Sequence, residues 1–365
     1  MKYQNDIDKM NTNRNLFLMS LPIFVELLLQ LLVGNVDQMM VSRVSQPSVA
    51  AIVNANQIMN LVIIVLSMAS TAVTVILSQY LGAQDEKNAS RTCMVSIVLI
   101  GSVSLAATIL VFAGHTPLYR AIHVPEEVFD EASLYLLIVG AFILVQGLYL
   151  TFSAMIRAFA MVKEVMIISV IMNAMNIVGN AILINGWFGM PQLGAVGAAI
   201  STDISKLVGL TLMIGMFFKS RRVKMGMSYL RPFPVQILKN LCLLAIPTGV
   251  ESFSYNLSQM MILGIVNSFG TLVTVTKGYC TIFANIDYVY AMAIATATQI
   301  VLGYLIGARR LNDIQKRVNA TLKVAIAACV GMSVLMCLGG KYIFLIFTDN
   351  PEIITLGRRI LVIEI

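Results

Sequence analysis

Nine apolar runs, each long enough to cross a bilayer, follow one another along this chain, and a tenth begins near 353. They lie near 16–40, 48–79, 93–113, 132–156, 165–186, 193–218, 241–268, 276–306 and 321–346. About 20 residues at about 1.5 Å rise match the thickness of the hydrocarbon layer. A single soluble core has no room for so much apolar surface. The chain is 58% hydrophobic and only 12% charged, where soluble domains carry about 25% charged residues. The expected class is an all-α polytopic membrane protein, multi-pass in the cell membrane. Met1 to Asn15 are polar and mixed in charge. They lack the basic start, short apolar core and small-residue cleavage site of a signal peptide, so the first run is expected to remain as a span.

The connections between the runs alternate in charge. Lys2, Lys9 and Arg14, then Lys87 and Arg91, Arg157 and Lys163, the 219–239 stretch, and Arg309 to Lys323 fall on one side. The other side holds little beyond Arg43, Arg120 and Lys341. The positive-inside rule places the first set, and the N-terminus, in the cytoplasm. The net charge of +7 therefore reports topology and contact with anionic lipid, and implies no nucleic-acid partner. The five cysteines form no CxxC pair, and the two histidines sit outside any cluster with ligand spacing. Neither HExxH nor GxSxG occurs, so no enzyme, catalytic residue or cofactor is expected.

An internal repeat organises the runs. Pro22 and Glu26 return as Pro247 and Glu251, an offset of 225 residues (247 − 22 and 251 − 26). The same offset carries Gly82-Ala83 onto Gly307-Ala308, and Pro125-Glu126 meets Pro351-Glu352 one residue later. Each copy starts from the same side, so the repeat is parallel, about an axis along the membrane normal. The expected architecture is two pseudo-symmetric six-helix bundles. Residues 1–220 form the N-terminal lobe with spans 1–6, and 221–240 a cytoplasmic linker. Residues 241–365 form a partial C-terminal lobe with spans 7–9 and the start of span 10. On this reading the second bundle is truncated after about three and a half spans.

At the level of this organisation the chain resembles the multidrug and toxic compound extrusion (MATE) family. The resemblance rests on Leu21-Pro22 with Val36-Asp37-Gln38, and on Ser78-Gln79-Tyr80-Leu81-Gly82-Ala83-Gln84-Asp85 with its echo from Gly303 to Arg310. It rests also on Arg157-Ala158-Phe159 followed by an Asn-rich fifth span, and on Phe188-Gly189 leading into Gly194-Ala195-Val196-Gly197-Ala198-Ala199. The resemblance implies a secondary active antiporter, a monomer working by alternating access. It would export small organic, often cationic, drugs or toxins in exchange for sodium or protons. A flippase for lipids or lipid-linked saccharides shares the broad architecture, but would be expected to show more cavity Arg and Lys. A non-functional remnant is a third reading.

Acids inside a membrane are costly and suggest function. Asp37 falls about 22 Å beyond Pro22 along the first span, and the family's first-span aspartate supports an ion-coupling role for it. Asn176 and Asn180 share a face one turn apart, and Thr202 is a further oxygen. The family brings this face of span five to the first-span acid, with an aspartate in some members where this chain has Asn180. Asp203 and Lys206, three residues apart, are expected to pair. Glu251 sits one turn after Pro247, whose missing N–H loosens a backbone bond and exposes a carbonyl. Some family members carry their acid where this chain has Tyr255. Asp287, in span eight, is expected to face the second-lobe cavity, and Glu26 is the repeat mate of Glu251. Glu251 and Asp287 together offer two charges to a monovalent cation, so the balance favours sodium over a proton as the coupling ion.

Overall fold

The computed structural model describes residues 7–42, 45–121, 124–345 and 350–364, with the side chains at 33–38, 46, 121, 188, 271, 283, 286, 341, 343 and 364 outside the description. Eleven helices realise the ten runs, the fourth run being divided in two. They are α1 (Asn13–Ser42), α2 (Gln46–Gly82), α3 (Glu86–Ala121), α4 (Glu126–Ala141), α5 (Ile143–Ala158) and α6 (Val162–Asn185). Then follow α7 (Gly194–Ser220), α8 (Val235–Asn267), α9 (Thr271–Gly307), α10 (Leu311–Phe344) and α11 (Pro351–Glu364). No strand occurs among the described residues. Seven of these helices are long and apolar enough to span a membrane, or eight with α4 and α5 counted as one bent span. α8 is not among them, its middle being diluted by Glu251, Ser254, Asn256 and Ser258.

The bend between α4 and α5 is 45° and falls at Phe142, with no proline nearby. Its cause lies in the neighbouring helix. Thr108 of α3 donates its hydroxyl to the Gly140 carbonyl at 3.3 Å, and a side chain inserted into the helical ladder bends it. Gly140 permits the approach, because a Cβ there would stand 2.9 Å from Val111. At the other end of α3's neighbour, Ser45 caps α2 by accepting from the Ser48 N–H at 3.3 Å. The Ser48 hydroxyl in turn donates to Glu131 of α4 at 2.5 Å.

The helices form two compact units. The larger comprises Leu29–Gly249 with Gly303–Arg309, and the smaller comprises Met1–Leu28, Val250–Leu302 and Arg310–Ile365. The larger unit holds one continuous core running from Val41 to Ala245. The expected linker is laid onto that core: the Lys224 N–H donates to Ser90 at 3.2 Å, and Ile237 is buried. The closest crossing in the unit joins the two Gly-Ala echoes. A Cβ on Gly82 would lie 2.6 Å from Tyr304 Cα, and one on Gly303 2.5 Å from Ser78 Cβ. One on Gly307 would strike Gln79 and lie 2.6 Å from the Ala83 nitrogen. Under the 225-residue offset Ser78, Gln79 and Gly82 correspond to Gly303, Tyr304 and Gly307. Gly82 meets Tyr304 while Gly307 meets Gln79. This reciprocity is what a local twofold between matching segments produces.

In the smaller unit, α10 holds the chain's N-terminal segment. Arg317, only 3% exposed, donates to the Asn11 carbonyl at 3.1 Å, Asn13 Oδ1 at 2.5 Å and Thr321 Oγ1 at 3.2 Å. Arg310 pairs with Asp8 at 2.5 Å and Asp313 at 2.6 Å. The hydrogen bond to Asp8 is the main cause that lifts its pKa above the ordinary guanidinium value. The two arginines differ in weight. Exposed pairs contribute about 0.2–1 kcal/mol, whereas losing a buried charged donor with several partners costs about 3 kcal/mol or more. Arg317→Gln is therefore expected to lower the unfolding free energy in detergent by several times as much as Arg310→Gln. Equal losses in a denaturation series would show that the buried hydrogen bonds do not hold the segment.

Candidate functional site

The polar network of the larger unit is built where α6 and α7 cross. α6 ends at Gly186 in the left-handed conformation, φ +72°, and the chain returns through Leu193, whose N–H donates to the Leu183 carbonyl at 2.9 Å. Gly197 then passes so close that a Cβ would stand 2.6 Å from that same carbonyl. This crossing of small residues brings the next turn of α7 against the asparagines of α6. Asn180 donates to Asn176 Oδ1 at 3.4 Å, and Asn176 donates to Thr202 Oγ1 at 3.1 Å. Ser201 secures the crossing by donating to the Asn176 carbonyl at 2.9 Å. The structure thus joins Asn176, Asn180 and Thr202 in one chain of hydrogen bonds. The Asp37 side chain lies outside the described residues.

Thr202 opens onto a cavity of about 530 Å³ that also receives Asn56, Asn60, Gln146, Asn173 and Lys206. Lys206 lies twelve residues into the 27-residue α7, about 18 Å from its start, and beyond the reach of a lysine stem to the interface. An ammonium at that depth costs about 2.5–3.5 kcal/mol unless it faces a polar cavity or a partner. The expected Asp203–Lys206 ion pair takes a looser form. Asp203 feels the charge of Lys206, but its carboxylate is 2% exposed and neither oxygen hydrogen bonds any described residue. The three-residue spacing keeps the two side chains on neighbouring parts of the helix surface, but packing leaves Lys206 on the cavity wall and buries Asp203 in the bundle.

The smaller unit gathers a second constellation. Glu251 and Tyr255 of α8 are exposed one turn apart. The Tyr255 ring lies parallel to that of Tyr288 on α9, with planes 4° apart and centroids 6.3 Å apart. The Glu251 charge acts on Tyr288. Asp287 is half-buried, and its carboxylate interacts with the Cys329 thiol of α10. Glu26 is 1% exposed, an acid packed inside the unit rather than one at a helix surface. Among the described residues no group of three or more His, Cys, Asp or Glu converges on a metal-binding geometry. An acid beside two parallel rings suits an organic cation, through charge and ring quadrupole together.

Residue reasoning had singled out Asn173 in the fifth span, but neither Tyr288 nor Asn56, Asn60 and Gln146 of the larger cavity. Tyr288 follows Asp287 directly, and Asn56 and Asn60 stand one turn apart inside an apolar run. Those were the available signals.

Comparison with known proteins fits this fold. The MatE family model matches residues 22–182 and 247–365. The uncharacterized transporter YisQ of Bacillus subtilis is 34% identical over 351 residues, covering 96% of this chain and 77% of that protein. A probable multidrug resistance protein NorM of Chromobacterium violaceum is 26% identical, covering 94% of this chain and 74% of its own length. A variant of the Vibrio cholerae MATE transporter VcmN superposes with a TM-score of 0.90 at 19% identity, over 100% of this chain and 80% of that one. That last likeness is one of fold. The chain belongs to the MatE family of membrane transporters.

Proposed function

We propose that this protein exports organic, mainly cationic compounds across the cell membrane by alternating access, with its N-terminus in the cytoplasm, in exchange for an inward-moving cation. The observation that carries the reading is the exposed Glu251 beside the parallel Tyr255 and Tyr288 rings, on helices of a membrane protein. A carboxylate with aromatic faces attracts a flat organic cation and sets no strict shape requirement. The multidrug names carried by NorM relatives support that substrate class. The protein acts as a transporter rather than an enzyme and needs no resident cofactor.

Sodium is the favoured coupling ion. A sodium ion takes several oxygens at once, including a carboxylate and carbonyls freed by a broken helix. Glu251 stands one turn after Pro247, which lies within α8. In everted vesicles at fixed pH, ethidium transport is expected to speed up when a sodium gradient is imposed. Replacing sodium with choline is expected to return it to the background rate. Transport that follows only a pH gradient would remove sodium and leave the exporter reading standing.

A further inference from the structure

We infer that the segment joining α7 to α8 is a docking surface for an anionic phospholipid, whose phosphate is held between Arg222 and Lys224. The span α7 ends at Ser220, so the segment emerges beside the lipid headgroups. It carries six exposed cations, Lys219, Arg221, Arg222, Lys224, Arg231 and Lys239, and no acid occurs from 219 to 240. Among the described residues the ion pairs are made by Arg310 and not by these six.

Two features turn this run into a built surface. The first is a fixed backbone. Val223 and Met225 pack on the core of the larger unit, whereas Arg222 and Lys224, which alternate with them, are exposed. The Lys224 N–H is tied to Ser90, and the turn Met227–Leu230 packs against α3. Arg222 and Lys224 therefore project away from the core, with Cα atoms at most about 7 Å apart. One phosphate between them accepts from the guanidinium and the ammonium together. The second feature is apolar. Met227 is 71% exposed, Val235 65% and Phe233 43%. In water such exposure favours association. Beside a bilayer these side chains reach the acyl boundary while the cations stay with the phosphates. Membrane topology needs only the positive charge of a loop, and neither the anchored backbone nor the exposed apolar side chains. The same side chains favour a lipid over a soluble phosphate, which has no acyl chain for them to meet.

This inference does not depend on the export reading. The test follows binding of pyrene-labelled phosphatidylglycerol to the purified chain in dodecyl maltoside by fluorescence anisotropy. Saturable binding is expected, weakening as salt is added. A cation beside an anionic headgroup accounts for about fivefold in affinity. Arg222→Gln combined with Lys224→Gln should therefore weaken binding by about tenfold or more. Lys316→Gln combined with Lys323→Gln removes the same charge from exposed positions on α10 and should leave it within about twofold. In the unmodified protein, labelled phosphatidylcholine should not saturate and glycerophosphoglycerol should not displace the lipid, which keeps the test decisive if a variant fails to fold. Absence of saturable binding, equal binding of phosphatidylcholine, or an equal loss in the two double variants would overturn the inference. Displacement by glycerophosphoglycerol or by polyglutamate would overturn it too, because the occupant would then be a free phosphate ester or an acidic protein.

Discussion

Replacing Glu251 with glutamine is expected to reduce ethidium export by a hundredfold or so, far more than any change to the tyrosines beside it. The argument is one of magnitudes. A unit charge about 4 Å from a cation is worth about 4 kcal/mol at an effective dielectric near 20; solvent at the exposed Glu251 screens this to about 3 kcal/mol or less, about a hundredfold, and glutamine keeps the size while removing that term. A ring face contributes about 0.5–2 kcal/mol. Tyr255→Leu should therefore cost about threefold to thirtyfold, and Tyr255→Phe, which keeps the parallel contact with Tyr288, should cost little. Initial rates of ethidium efflux from cells expressing equal amounts of each variant at the membrane provide the measurement. Export by Glu251→Gln within twofold of the parent would take this acid out of both substrate recognition and ion coupling.

The spans were legible because hydrocarbon selects on composition. Their ends were not. The run read as 241–268 is part of a helix that begins at Val235, and the run read from 93 belongs to one that begins at Glu86. Outside the hydrocarbon the helix continues through polar residues, which hydropathy does not see. The bend at Phe142 was invisible for a different reason: it depends on Thr108 of another helix reaching the Gly140 carbonyl, and no local pattern around residue 142 reports that. The same division holds at the site. Asn176 and Asn180 could be paired from their spacing alone, being one turn apart on one helix. Tyr255 meets Tyr288, and Lys206 and Asn173 line one cavity, only through tertiary packing. Asp203 and Lys206 mark the limit of spacing arguments. Three residues on a helix bring two side chains near each other, but the packing of α7 decided that one would be buried and the other would face the cavity.

The repeat, in contrast, reached further than its residues suggested, and it yields the second large effect. Gly82 and Gly307 are mates under the 225-residue offset, and each meets the other segment's backbone. Alanine in a helix normally gains about 1 kcal/mol over glycine. At Gly82 the added Cβ would stand 2.6 Å from Tyr304 Cα, and at Gly307 2.6 Å from the Ala83 nitrogen. Backbone atoms cannot rotate away as a side chain can, so the helix ends must separate. Overpacking of this kind costs about 1–3 kcal/mol, enough to reverse the propensity gain. Gly82→Ala and Gly307→Ala are each expected to destabilise the protein in detergent. Gly101→Ala, where a Cβ meets nothing within 4 Å, should be neutral or slightly stabilising and serves as the control. Because the contacts are reciprocal, one separation relieves both clashes. The double variant should therefore lose less than the sum of the two single losses, by about 0.5–3 kcal/mol of coupling. Strict additivity in the double-mutant cycle would mean that the two contacts yield independently, and the twofold crossing would not act as one unit.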